Sequence, residues 1–185
     1  KNEYPLHNYL RLAPIMQKLR AVKSKYEVEL LQKACDITDI AFRRALKFLK
    51  PGVMEYEVEA EFIHEFIRSG AQNADYTPIV ASGASACVLH YIENDKMCKD
   101  SDLLLIDIGC GYANYNSDLS RTVPVNGKFS KRQKDVYNAV LRVMRMHIDE
   151  MKPGKTVQEL QKFCEQNMEK ELVDLGLISM DDIKN

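Results

Sequence analysis

Apolar and polar positions alternate with two different periods along the chain. From Val28 the residues Leu31, Ala34, Ile37, Ala41, Ala45 and Leu49 recur every three or four positions, the spacing of one helix face. Ser24-Lys25-Tyr26-Glu27 just before them is a capping box, in which the serine and the glutamate each satisfy a free backbone N–H. Lys50-Pro51-Gly52 ends the run, because proline resists helix and glycine relieves the turn. A second helix is predicted over 55–69, with Val58, Phe62, Ile63 and Phe66 as its stripe and Gly70 as its stop.

The period then shortens. Residues 76–82, 87–91, 103–110 and 114–125 are rich in β-branched and aromatic side chains and are parted by Gly, Asn, Asp and Ser, which predicts strands of a mainly antiparallel sheet. Helix returns after a second capping box, Ser130-Lys131-Arg132-Gln133, with Val136, Val140, Val143, Met144 and Ile148 as its apolar face. Lys152-Pro153-Gly154 stops it, and Thr156-Val157-Gln158-Glu159 opens another helix bearing Leu160, Phe163, Cys164 and Met168. A helix, a Lys-Pro-Gly stop and a second helix thus occur twice, 102 residues apart. That reads as a duplicated half-domain, with strands due after the second pair, or as chance reuse of a common stop.

Composition narrows the class. The 185 residues carry 26 Lys+Arg and 27 Asp+Glu, a balance without the basic surface that nucleic acid requires. No apolar run approaches the roughly 18–20 residues of a membrane span, and residues 1–9 lack a signal-peptide core. Cys35, Cys87, Cys98, Cys110 and Cys164 are odd in number without a CxxC pair, so they read as reduced core thiols of a cytoplasmic protein. Phosphate-loop, GxGxxG, GxSxG and HExxH patterns are all absent.

Candidate chemistry gathers in the strand region. Asp107 lies in the apolar run Leu104 to Ile108, where an unpaired carboxylate costs several kcal/mol. Asp118 follows 11 residues later. A hairpin turning at Tyr112-Ala113 would set the two side by side, and like charges that close need a proton or a cation between them. All-oxygen ligation suits Mn²⁺, Mg²⁺ or Co²⁺. Spacing alone leaves equal room for one aspartate capping the turn while the other pairs with Arg121. His90, in Val88-Leu89-His90-Tyr91, reads either as a core histidine or as a donor to a developing oxyanion. His7, His64 and His147 have no partner at ligand spacing.

His90-Tyr91-x-Glu93-Asn94, followed by Ile106-Asp107-x-Gly109-Cys110-x-Tyr112-x-x-Tyr115-x-Ser117-Asp118-x-Ser120-Arg121-Thr122, resembles the Xaa-Pro aminopeptidases (aminopeptidase P). These are pita-bread metallopeptidases of family M24, together with prolidases and methionine aminopeptidases. The similarity runs from about Leu19 to Leu177. It implies an α/β fold built from two pseudosymmetric halves, with an antiparallel sheet flanked by helices. Asp107 and Asp118 match metal ligands of that family, His90 its carbonyl-binding histidine, and Tyr76 a tyrosine beside the metal pocket. Two divalent ions, Mn²⁺ foremost with Co²⁺ or Zn²⁺ as alternatives, and a peptide with proline in second place are implied. Prolidase activity and a non-catalytic peptide-binding module of the same fold are the other readings.

On this resemblance residues 1–20 are a stub from a further domain and 21–185 part of the catalytic domain, with a first half at about 21–128 and the opening of a second at about 129–185. The family's remaining ligands, a His and two Glu, have no match here. Met144, Met146 and Met151 fit core packing, or a face between copies of a homo-oligomer. Two aspartates supply part of a site needing several ligands, so this chain alone is expected to bind Mn²⁺ weakly and to be inactive. Calorimetric titration should show no sub-micromolar two-ion site; finding one would overturn the expectation.

Overall fold

The computed structural model describes Leu6, Asn8 and residues 10–183; His7 and residues 1–5, within the expected stub, lie outside the described residues. The chain divides after Asn126 into two compact units. In the first, α1 (Ala13–Ala21) carries a proline in its opening turn and buries no side chain. The sequence reading started ordered structure at Ser24 and missed this helix, because α1 has no buried face to impose a period.

The next two helices follow the predicted pattern. In α2 (Lys25–Phe48) the Ser24 hydroxyl accepts from the Glu27 N–H (3.3 Å) and the Glu27 carboxylate accepts from the Ser24 N–H (2.6 Å). Its buried face begins later than predicted: Val28 is exposed, while Ala34, Ile37, Thr38, Ala41 and Ala45 are buried. These mostly small side chains pack with Val58, Phe62 and Phe66 of α3 (Glu55–Arg68) in one core.

The strands are shorter than predicted and form two sheets. β1 (Asn73–Ala74), β4 (Cys110–Tyr112) and β5 (Tyr115–Asn116) make one; β2 (Ile79–Ser82), β3 (Leu103–Ile108) and β6 (Leu119–Pro124) make the other, antiparallel throughout. β3 alternates strictly. Leu104, Ile106 and Ile108 join the core formed with the helices, and Leu103, Leu105 and Asp107 face the other way, half-buried. Ile79, Ala81 and Tyr91, with Leu105 and Ala86 beside them, form a smaller cluster.

No strand forms at 87–91. A short 3₁₀ helix, Gly83–Cys87, is followed by a turn and an extended loop. His90 and Asn94 adopt positive φ (55° and 47°), a conformation no strand ladder accepts. The loop is held instead by side chains. Asn94 is buried, accepts from the Val80 N–H (2.9 Å), and donates to the Pro78 carbonyl (2.9 Å) and Glu59 (2.8 Å). Glu55 is fully buried at the start of α3. One of its oxygens accepts from the Ser82 N–H (2.6 Å) and hydroxyl (2.7 Å), the other from the Tyr91 hydroxyl (2.8 Å) and the Lys96 N–H (2.9 Å). Four donors are what a buried carboxylate requires, since an unmet charge there costs several kcal/mol.

The second unit contains α4 (Lys131–Glu150) and α5 (Val157–Asp174), each opened by the predicted capping box. A two-pronged Arg142–Glu171 pair (2.7 and 2.5 Å) ties the helices together. Ala139 and Val143 are buried, but Val140, Met144, Met146, Ile148 and Met151 are exposed, so the methionines are not core residues of this unit. The glycines of the two Lys-Pro-Gly stops have nearly the same φ, 94° at Gly52 and 93° at Gly154, where a side chain would be strained. Among the described residues no helix is long and apolar enough to cross a membrane.

All five thiols are free, yet only part of the core reading holds: Cys98 and Cys110 are buried, Cys164 is intermediate, and Cys35 and Cys87 are exposed. Burial, and then the nearby Glu55 carboxylate, push the Cys98 thiol up to about 11. Thiolate is the reactive form, so at pH 8 it is about a thousandth of the Cys98 population. Iodoacetamide at that pH should label Cys87 first and leave Cys98 unmodified until the protein unfolds. Mass-mapped labelling of Cys98 in the native state at a rate comparable to Cys87 would contradict this.

Candidate active site

The aspartates meet, but not by the predicted pairing. The β4–β5 hairpin turns at Ala113 and Asn114, both at positive φ (50° and 64°), as a two-residue type I′ turn demands. Tyr112 therefore pairs with Tyr115, and in the sheet below Asp107 pairs with Ser120, not with Asp118. Placing the turn one residue early shifted the partner by two.

Asp118 reaches the site through a break in the ladder. Between β3 and β4 lies Gly109, where a Cβ would stand 1.9 Å from the Ser117 carbonyl oxygen. Only glycine lets the strands approach so closely. Ser117 is buried; its hydroxyl shares a hydrogen bond with the Thr38 hydroxyl of α2 (2.6 Å) and accepts from the Cys110 N–H (2.9 Å). With Ser117 pinned inward, the next residue, Asp118, is exposed.

Tyr76 joins the two carboxylates. Its hydroxyl donates to Asp107 Oδ1 (2.7 Å) and, more weakly, to Asp118 Oδ1 (3.3 Å). Burial first, then the two carboxylates, push this phenol well above its usual range. These three residues, with His90, Thr77, Ile79 and Ile92, line a cleft of about 410 Å³. His90 is exposed on a turn and is not a core histidine. Arg121 does not pair with either aspartate; its guanidinium donates to the Ser120 carbonyl (2.7 Å). Asp107 is half-buried beside the cleft, not sealed in the core. His64 is exposed, and His147, half-buried in the second unit, has an Nδ1 without a hydrogen-bond partner.

Two carboxylates facing open space, with no ion pair to either among the described residues, are the donor chemistry of a hard divalent cation. They make up only part of a coordination sphere, and no group of three or more His, Cys, Asp or Glu among the described residues could hold a metal. The donor set therefore fits a metal and does not complete its site. Sequence reading missed Glu55, Asn94 and the Thr38–Ser117 contact. Glu55 looks like an ordinary first-turn acid, and no local signal marks its burial. Tyr91, Asn94 and Ser117 were visible only as letters of the motif.

The acidic pair lies in a cleft of an α/β scaffold, and residues 29–181 match metallopeptidase family M24. The chain belongs to that family. The Xaa-Pro aminopeptidase of Haemophilus influenzae is 40% identical over 168 residues, covering 91% of this chain and 39% of the relative. The mouse Xaa-Pro dipeptidase is 37% identical over 173 residues, covering 91% and 35%. Among solved structures, the Pseudomonas aeruginosa aminopeptidase PepP superimposes with a TM-score of 0.91 at 39% identity, covering 94% of this chain and 39% of that one. Zn-substituted Escherichia coli aminopeptidase P in complex with product gives 0.89 at 39% identity, covering 92% and 39%. The fold is the α/β pita-bread fold of aminopeptidase P, and the chain spans about two-fifths of the length of these relatives.

Gly109→Ala tests the ladder break. Its methyl must displace Ser117, and a displaced Ser117 carries Asp118 away from Tyr76. The variant should lose about 1–3 kcal/mol of stability, as overpacked sites do, read by urea unfolding. A stability within 0.5 kcal/mol of the parent would show that the approach is not tight.

Proposed function

We propose that this chain supplies part of the catalytic site of a metal-dependent exopeptidase that removes the N-terminal residue from peptides with proline second. The observation carrying this reading is the convergence of Asp107 and Asp118 on one tyrosine hydroxyl, in a cleft that also holds His90. The domain reading goes with it: a first half at about 21–128 and the opening of a second at about 129–185, with the paired Lys-Pro-Gly stops as support. Unpaired thiols fit a reducing, cytoplasmic setting.

Asp107 and Asp118 are the ligands this chain would give to two divalent ions, Mn²⁺ in the first instance. Bound there, the ions would lower the pKa of a water and polarise the peptide carbonyl. The protein's own groups do the rest. Tyr76 donates to both carboxylates and so fixes which oxygens point into the cleft. His90, on the cleft wall, donates a hydrogen bond to the carbonyl oxygen as negative charge grows on it. Ile79 and Ile92 give the cleft an apolar wall against which a pyrrolidine ring loses water. The identity to mouse Xaa-Pro dipeptidase supports a second reading, in which the substrate is a dipeptide.

The test uses the full-length protein with Mn²⁺, with and without chelator, on Gly-Pro-Ala and Gly-Pro, with products identified by mass. Chelator-sensitive release of glycine from the tripeptide is the expected result, and His90→Ala should lower kcat by about 10²–10³-fold. Cleavage of the dipeptide alone would make the enzyme a dipeptidase. Failure on both with metal present would leave a peptide-binding module.

A further inference from the structure

We propose that the buried Glu55 carboxylate is the positioning residue for His90. The inference rests on the reading of His90 as the carbonyl-binding group. His90 lies on a turn without ladder hydrogen bonds and at positive φ (55°), so local structure does not hold it in place. Its chain neighbour does. Tyr91 is 5% exposed and packs with Ile79, Ala81, Leu105 and Ala86. Its hydroxyl donates to Glu55 Oε2 (2.8 Å), the oxygen that also accepts from the Lys96 N–H, and more weakly to Asp95 Oδ1 (3.3 Å).

The other oxygen of the same carboxylate holds the end of β2 through Ser82. β2 is also the strand whose Ile79 pairs with Asp107. One side chain therefore fixes the His90 loop against the strand that neighbours the metal-binding aspartate. Because both carboxylate oxygens are used, a shift of the loop must break charge-assisted bonds inside a buried site, where they are strongest. Glu55 does not line the cleft and acts through Tyr91.

Two variants separate positioning from bulk stability. Tyr91→Phe removes one hydroxyl and keeps the ring in its cluster. Glu55→Gln has a single acceptor oxygen, so either the β2 side or the loop side meets an amide that cannot accept from the Lys96 or Ser82 N–H. Phe42→Leu, a core change on α2, serves as the control for lost stability. In the full-length protein, labelled at its histidine ring carbons, both test variants should move the His90 imidazole resonance, assigned with His90→Gln. They should also lower kcat on Gly-Pro-Ala by about 10–100-fold, as groups orienting an active-site residue do, with KM within about twofold. The double variant should lose no more than Glu55→Gln alone, because the two lie on one path.

An imidazole resonance that moves no further than in Phe42→Leu overturns the proposal whatever the activity. A resonance that moves while kcat stays at the parent level overturns it too. If the parent protein cleaves neither substrate, the functional reading fails by itself, and the resonance alone decides whether Glu55 sets His90.

Discussion

A carboxylate sealed inside the first unit organises one wall of the cleft. Glu55 begins a helix, where acids are common and easily solvated, yet it is fully buried and spends both oxygens on backbone and hydroxyl donors. Such a group is an expensive way to stabilise a fold, since an apolar replacement of similar volume is often as stable. What it gives is definition. Helix α3, the end of β2 and the 91–96 loop can meet in only one way that satisfies all four donors. Asn94 repeats the device on a smaller scale, using one amide to hold Val80, Pro78 and Glu59.

The opposite wall of the cleft is set by a different constraint, the absence of a side chain. The register is unshifted between the β3–β6 and β4–β5 pairs, so Asp118 stands opposite Gly109 but outside the regular ladder. The Ser117 carbonyl occupies the volume where a Cβ would stand, the ladder breaks into two sheets, and Asp118 emerges at the break. Tyr76 comes from the segment between β1 and β2, and its hydroxyl closes the triangle. Three separate segments, at residues 76, 107 and 118, thus deliver three oxygen atoms to one place. That arrangement is chemically open: two carboxylates near one another, without a basic partner among the described residues, ask for a cation.

Helices and stops were legible because their signals are local. Ser24, Ser130 and Thr156 cap helices within three residues of themselves, and proline and glycine end them through their own backbone preferences. Asp107, Asp118 and His90 were legible through the longer motif and Tyr76 through the family resemblance, and the structure brings all four to one cleft. The predicted strand over 87–91 failed for a physical reason. Only its Tyr91 anchors the loop, and the Val80, Ser82 and Lys96 N–H groups around it donate to side chains instead of a ladder. Val88 and Leu89, the residues that most suggested a strand, are exposed.

The sequence by itself determined where helices α2 to α5 begin and where the Lys-Pro-Gly and glycine stops end three of them. Each of these follows from a residue's own preference or from periodicity over a few neighbours. Only the tertiary structure decided that Asp107 faces Ser120, that Asp118 arrives by a ladder break, and that Glu55 lies buried. Those depend on which distant atoms fill a given volume and which donors find a given acceptor, and no short stretch of sequence contains both partners.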